Sequence, residues 1–307
     1  MAVYFETSSC LSVATSADSP SVSRECNFAV TDYDLAGTLN CGQAFNWHWR
    51  SDGWEGVIHG RWVRLCQQNG TIRAETVAPE SDWSWLAAYL QAHVGLGDIL
   101  VTFPAETRLT MAVEKCRGLR LLRQDPWECL ASFILSSTKQ IVQIRQIIAL
   151  LRVRFGSPLA VPNGAPRQFA FPTAEQLAAA TEAELRACKM GFRAPYLLAA
   201  ARQVAIGECN LDRLATLSVD KARSELLKLP GVGEKIADCV LLFAYGFPTA
   251  FPIDVWIAKA LRQFYFRGRK TPMKRLRQFA TEHFGPNAGY AQQYLFHYIR
   301  TEGRKKL

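Results

Sequence analysis

LPGVGEKIADCVLLFAYGFPTAFPID, residues 229–254, reads as a glycine-rich turn, an apolar helix and a proline-punctuated loop that ends on an aspartate. Leu229-Pro230 closes the helix read over SVDKARSELLK, because proline has no N–H to donate and its ring clashes with the preceding turn. Gly231 and Gly233 open backbone conformations closed to other residues and allow close approach of another chain. The apolar run from Lys235 to Ala244 reads as a buried helix, so the stretch about 220–245 is a helix-hairpin-helix. Around Gly231, Val232 and Gly233 the first N–H groups of the second helix lack intrahelical partners and form an anion site. Such a site grips a DNA phosphate without reading sequence. A lone Gly-x-Gly would fit any helix corner. The full spacing Leu-Pro-Gly-Val-Gly-x-Lys, followed by Pro-x-Asp-Val, is more specific.

Working outward, the composition suits a nucleic-acid partner. The 307 residues carry a formal net charge of +9, which favours a polyanion, although many basic proteins bind no DNA. Nine cysteines are scattered with no close ligand pair, as expected of reduced thiols inside a cell. The expected location is the cytoplasm or nucleoid of a bacterium, or the nucleus of a eukaryote. No apolar run reaches membrane-spanning length, and no membrane partner is expected. Residues 1–24 carry one basic residue, Arg24, and read as a flexible tail rather than a targeting segment.

Residues 44–77 alternate apolar and polar side chains around turn signals. AFNWHWR, WEGVIH, RWVRLCQ and TIRAETV read as strands, with Asn69-Gly70 the strongest hairpin signal. SDWSWLAAYLQAHV has helical spacing, with Ser81 as its expected N-cap. From about residue 106 the chain reads helix after helix. The expected fold class is α+β: an N-terminal antiparallel sheet domain (25–105), then a mostly helical region (106–307).

The hairpin and its lysine resemble the helix-hairpin-helix Gly/Pro/Asp (HhH-GPD) superfamily of DNA glycosylases. Two further stretches, CGQAFNW (Cys41 to Trp47) and AGYAQQYLF (Ala288 to Phe296), are similar to the 8-oxoguanine DNA glycosylase branch. The matches run from about residue 25 to 300. The resemblance implies excision of 8-oxoguanine from duplex DNA and cleavage of the abasic site, with no cofactor and a monomeric enzyme. An alkylpurine glycosylase of the same fold is the alternative. It would need no lysine and an electron-rich aromatic pocket, and eight tryptophans, Trp256 among them, keep it open.

A glycosylase must flip its base out of the duplex. Cleaving the glycosidic bond puts positive charge on the sugar, which a carboxylate stabilises. Asp254 is the candidate. It also reads as the N-cap of VWIAKALRQF, a role worth ~1 kcal/mol, and both roles can hold, with helix N–H bonds keeping the carboxylate ionised. Lys235 is the expected nucleophile at C1′, forming a Schiff base with the opened sugar. An amine attacks only when neutral, and desolvation or a helix N-terminus lowers a lysine's pKa. Outside this motif it would read as a solvated first-turn lysine.

By resemblance, Cys239 and Phe296 sandwich the flipped base, with Lys235 polarising Cys239 toward thiolate. Without the motifs, both residues read as core. Gly42 would offer its carbonyl to the N7–H that guanine lacks, and a site built for one N–H discriminates strongly against an analogue without it. Gln292 would read the Watson–Crick edge, against the alternative of an exposed helix glutamine.

Three features depart from the family pattern. An asparagine run is replaced by Thr138-Lys139-Gln140, a cytosine-reading arginine by Gln143, and a phosphate-contacting histidine by Trp256. Phe192-Arg193 still matches the wedge and second cytosine reader. Lys139 could fill the gap left by the base, touch a phosphate, or simply be a surface charge. Relatives with an iron–sulfur cluster place four cysteines after the aspartate. This chain has none beyond Cys239, so no metal is expected.

Overall fold

The computed structural model describes residues 23–137 and 139–301. Five strands form one antiparallel sheet: β1 (Ser23–Ala29), β2 (His48–Arg50), β3 (Gly53–Ile58), β4 (Arg61–Gln68) and β5 (Thr71–Glu80), in the spatial order β1-β5-β4-β3-β2. His59-Gly60 and Asn69-Gly70 close two hairpins with both central residues at positive φ, 47° and 72° in the first and 47° and 73° in the second. Such turns match the natural strand twist. They fix the registers Ile58↔Arg61 and Gln68↔Thr71. A helical body follows the sheet, so the α+β reading holds.

Three local expectations need correction. The strand β1 begins at Ser23, so the expected tail reaches too far, and residues 1–22 lie outside the described region. Cys26 and Phe28 of β1 face Ala74 and Ile72 across β5. This pairing closes the sheet with a strand distant in sequence, which local turn signals do not reveal. Ala44 to Trp47 is not strand. Side chains hold it instead: Gln43 donates to the carbonyls of Thr38 and Arg120 and accepts from the Leu122 N–H. Asn46 donates to the Val57 carbonyl and Trp47 Nε1 to the Tyr89 hydroxyl. Finally, Ser81 is not the N-cap of its helix, which runs Ser84–Leu90. Asp82 binds the first N–H at 2.8 Å instead, as a charged acceptor suits a helix start.

Two apolar cores interleave. Trp47, Leu65, Ile72, Leu86, Leu90 and Leu122 lie in the core under the sheet. The larger, helical core takes up residues from Leu96 onward and also Cys41 and Phe45. The CGQAFNW stretch therefore straddles both, with Ala44 and Trp47 under the sheet and Cys41 and Phe45 among the helices. That division fixes where Gly42 sits. At the centre of the body lies the helix Pro126–Leu135, capped by Asp125 and buried from Cys129 to Leu135. It packs on the helix Glu234–Val240. No helix among the described residues is long and apolar enough to cross a membrane.

Candidate active site

The hairpin forms as its spacing predicts, from the helices Val219–Leu226 and Glu234–Val240. Gly231 has φ +79°, and a Cβ there would stand 2.6 Å from Tyr196, so both freedom and closeness demand glycine. Gly231 and Gly233 are exposed. Val232 is buried, and its N–H already donates to the Leu229 carbonyl at 3.1 Å. The two helices are tied by a partly buried ion pair, Arg223 to Asp238 at 2.8 Å. Sequence reading missed this link, since the two residues stand on opposite sides of the turn with no spacing signal.

Lys235 leaves the first turn of the second helix half-buried and reaches across to the end of Pro126–Leu135. Its Nζ donates to Ser136 Oγ at 3.0 Å and lies 5.0 Å from the centre of the Phe133 ring. The Ser136 hydroxyl itself donates to the Phe133 carbonyl at 2.7 Å, so its lone pair is left to face the amine. A hydrogen bond and a cation–π contact thus help to hold the lysine. No sequence signal had given Ser136 a role.

Asp254 caps the helix Val255–Tyr265 and accepts from the Ile257 N–H at 2.8 Å. Burial pushes its carboxyl above the usual carboxylate range, while the helix N–H groups and the Lys235 charge pull the other way. The cap bonds thus favour the ionised form, as expected, but desolvation has the larger effect on the pKa.

Both groups open onto one cavity of about 110 Å³. Gly42, Lys139, Cys239, Gln292 and Phe296 line it as well, together with Phe45, Phe133 and Phe243. Four separated stretches of sequence meet there. Phe45 stands edge-on to Phe133 and Phe243 stacks on it, each at 5.6 Å. These three rings were not singled out from the sequence, although Phe45 lies inside the CGQAFNW stretch. No tryptophan lines the cavity. Gly42 has φ +86°, and a Cβ on it would meet Ile141 at 3.0 Å and Phe296 at 3.4 Å. Gln292 is buried, not an exposed helix residue, and its Oε1 has no hydrogen-bond partner. A ligand N–H would relieve that orphaned acceptor, which otherwise costs ~1–3 kcal/mol. Burial raises the Cys239 thiol to about 12, against the smaller opposing effect of Lys235. The polarisation of Cys239 toward thiolate by Lys235 is therefore opposed by a larger effect of burial.

The remaining candidates lie apart from this cavity. Phe192 is 54% exposed on a short turn. Arg193 is not on the open surface: it is buried, its guanidinium donates to the Met190 carbonyl at 3.2 Å, and it lies over the Phe192 ring at 4.2 Å. Gln143 is occupied in a capping box, accepting from the Gln140 N–H at 3.1 Å. Thr138 lies outside the described residues. Among the described residues no group of three or more His, Cys, Asp or Glu side chains converges to hold a metal ion.

Residues 26–130 match the family of 8-oxoguanine DNA glycosylase N-terminal domains, and residues 131–283 match the HhH-GPD superfamily of base excision DNA repair proteins. A probable N-glycosylase/DNA lyase of Methanothermobacter thermautotrophicus is 33% identical over 222 residues, 66% of this chain and 70% of that protein. The N-glycosylase/DNA lyase OGG1 of Arabidopsis thaliana is 30% identical over 288 residues, 87% of this chain and 77% of that protein. The Clostridium acetobutylicum 8-oxoguanine glycosylase/lyase, solved with duplex DNA containing cytosine opposite 8-oxoguanine, shares 32% identity and a TM-score of 0.84, covering 88% of this chain and 93% of that one. This chain belongs to the 8-oxoguanine DNA glycosylase branch of the HhH-GPD superfamily of base excision DNA repair proteins.

Proposed function

We propose that this protein flips 8-oxoguanine out of duplex DNA, excises it, and cleaves the resulting abasic site by β-elimination through Lys235. The observation that carries the reading is the meeting of Lys235, Asp254, Gly42 and Gln292 on one cavity. In the first step the Lys235 amine attacks C1′ while the base leaves with the electrons of the glycosidic bond. Asp254 stabilises the cationic sugar as that bond stretches. The new C1′ ammonium loses a proton, and the freed nitrogen lone pair then opens the C1′–O4′ bond, with O4′ taking up a proton, to give the protonated Schiff base. Loss of a C2′ proton expels the 3′-phosphate, which breaks the strand.

The test is single-turnover excision from matched duplexes carrying 8-oxoguanine, guanine or 3-methyladenine. Release of 8-oxoguanine alone is expected. Release of the alkylated base with 8-oxoguanine left in place would overturn the reading. The alternative had leaned on the tryptophans, and none of them lines the cavity.

Gly42→Ala separates base recognition from sugar chemistry. A side chain at φ +86° is strained, at ~1–3 kcal/mol, and the new methyl group intrudes on the wall shared with Ile141 and Phe296. Excision of 8-oxoguanine should fall by about tenfold or more, as ~1.4 kcal/mol lost to the transition state implies. Cleavage of a preformed abasic site should stay within about threefold. Equal loss of both activities would place Gly42 in the fold rather than in base recognition.

Opposite-base choice should be loose. Gln143 stands where the family pattern has a cytosine-reading arginine, and its amide is engaged in its own helix cap. Arg193 is turned onto the Met190 carbonyl. A good bidentate arginine contact gives about 1–3 kcal/mol of discrimination. Without one from position 143, excision opposite cytosine should exceed excision opposite thymine or guanine by less than about tenfold. A preference of a hundredfold or more in single-turnover rates would show that another residue reads the orphaned base.

A further inference from the structure

Beyond the lesion cavity, Asp254 and Lys235 also line a second, larger groove. Ser137, Gln140, Trp256, Arg262 and Met273 form its other walls. Arg262 and Met273 lead out of the groove into the most one-sided charge distribution in the chain. Residues 255–281 contain eight lysines and arginines and no aspartate or glutamate. A solvated charged face ordinarily mixes signs, so a run of this length with no acid calls for an explanation.

Several contacts hold this segment in place. It comprises the helix Val255–Tyr265, a connecting loop, and the helix Met273–His283. Arg262 donates twice to the Thr271 carbonyl, at 3.2 and 2.9 Å, and Thr271 is buried, which pins the loop. Tyr265 and His283, one near the end of each helix, both bind Glu106, the histidine at 2.9 Å. Arg277 forms an ion pair with Glu234, the first residue of the hairpin's second helix. The segment therefore borders the phosphate-binding turn on one side and the lesion groove on the other. Lys259, Arg267, Arg269, Lys270, Lys274 and Arg275 are exposed, and none of the six makes an ion pair with a carboxylate among the described residues. On the first helix Val255, Lys259 and Arg262 recur at i, i+4 and i+7, which places them on one face, and Val255 and Arg262 line the groove.

We propose that these six side chains form a phosphate track, which takes up the DNA strand as it leaves the lesion pocket and extends the footprint past the hairpin. The inference rests on the reading of the chain as a DNA glycosylase. The geometry favours DNA as occupant because the groove is continuous with the place where the sugar must sit. Each phosphate neutralised by a track residue releases condensed counterions and steepens the salt dependence of binding. The contact is independent of sequence, so it strengthens binding to undamaged DNA as well. It would hold the enzyme on the duplex between lesions.

The experiment measures binding to an undamaged duplex across a range of salt concentrations, together with hydroxyl-radical footprinting. The variant carries Arg269→Gln, Lys270→Gln and Lys274→Gln. Its charge-matched control carries Arg24→Gln, Arg73→Gln and Lys115→Gln, exposed positions that line neither cavity. The slope of log K against log salt should become shallower by about 2–3 in the track variant, at ~0.9 per phosphate contact, and protection should shorten on one side of the lesion. The control should keep the wild-type slope. Equal losses in both variants would mean that bulk charge is responsible, and would overturn the track, as would an unchanged slope. If the triple variant melts below the wild type, Arg269→Gln and Lys270→Gln are measured singly, each with an expected loss of about one unit of slope. Because the readout is undamaged DNA, failure of 8-oxoguanine excision would leave this result interpretable in its own right.

Discussion

Lys235→Gln is expected to abolish covalent capture of the protein on 8-oxoguanine duplexes by borohydride, and to lower excision on the order of 10³-fold or more, as removal of a nucleophile does. The chemistry gives two separable readouts. Only reduction of an imine leaves protein and DNA covalently joined, so trapping reports the nitrogen at C1′. Glutamine keeps an amide donor within reach of Ser136 Oγ, the partner of the lysine at 3.0 Å, but an amide nitrogen is no nucleophile. It also loses the cationic contact with the Phe133 ring, worth about 0.5–1 kcal/mol at a half-exposed site. The fold should therefore survive with a modest fall in melting temperature, and cleavage of a preformed abasic strand should vanish along with trapping. If excision continued near the wild-type rate while trapping disappeared, water would be the attacking group, as in a monofunctional glycosylase. If trapping persisted, another amine would be the nucleophile.

How far the sequence anticipated this site depends on the kind of contact. Lys235 and Asp254 were legible because each stands at a helix start that local signals mark: the Leu-Pro-Gly-Val-Gly turn for one, Pro-x-Asp for the other. Gly42, Gln292 and Phe296 came only from resemblance, since nothing local in CGQAFNW or AGYAQQYLF says that the two stretches meet. Ser136, Phe133 and Phe243 were missed for that reason. Their roles come from tertiary contacts with no spacing of their own. The Arg223–Asp238 link across the hairpin was hidden likewise. The strand β1 escaped because its partner is the last strand of the sheet. Segment 44–47 was misread because alternation there serves two different cores, not the two faces of one sheet. For Cys239 two effects compete: the neighbouring lysine lowers the thiol's pKa, as expected, but full burial raises it more. From the sequence both the charge and the buried helix were visible, but not which of the two effects is larger.

The same balance makes Asp254→Asn informative. Asparagine caps a helix about as well as aspartate, so the bond to the Ile257 N–H can be kept. What is lost is charge next to the developing sugar cation. Excision of 8-oxoguanine should drop ~10²–10³-fold, the scale of removing one electrostatic stabiliser from a water-poor site. Borohydride trapping on a preformed abasic site, which has no glycosidic bond left to break, should be much less affected. Stability should move the other way. Burial raises the folded-state pKa of Asp254 above its usual value of 3.8, so the folded protein binds a proton there more readily than the unfolded chain. By linkage, stability falls as pH rises from 3.8 through the raised folded value, and below 3.8 that cost is absent. The variant carries no such cost. Its melting temperature should equal or exceed that of the wild type at neutral pH, and the two should converge as pH falls below 3.8. The wild-type rate should also show an acid limb above the ordinary carboxylate range, and the residual rate of the variant should lack it. A variant less stable than the wild type at neutral pH would mean that the carboxylate serves mainly as a cap. A variant that excises at the wild-type rate would remove Asp254 from the chemistry altogether.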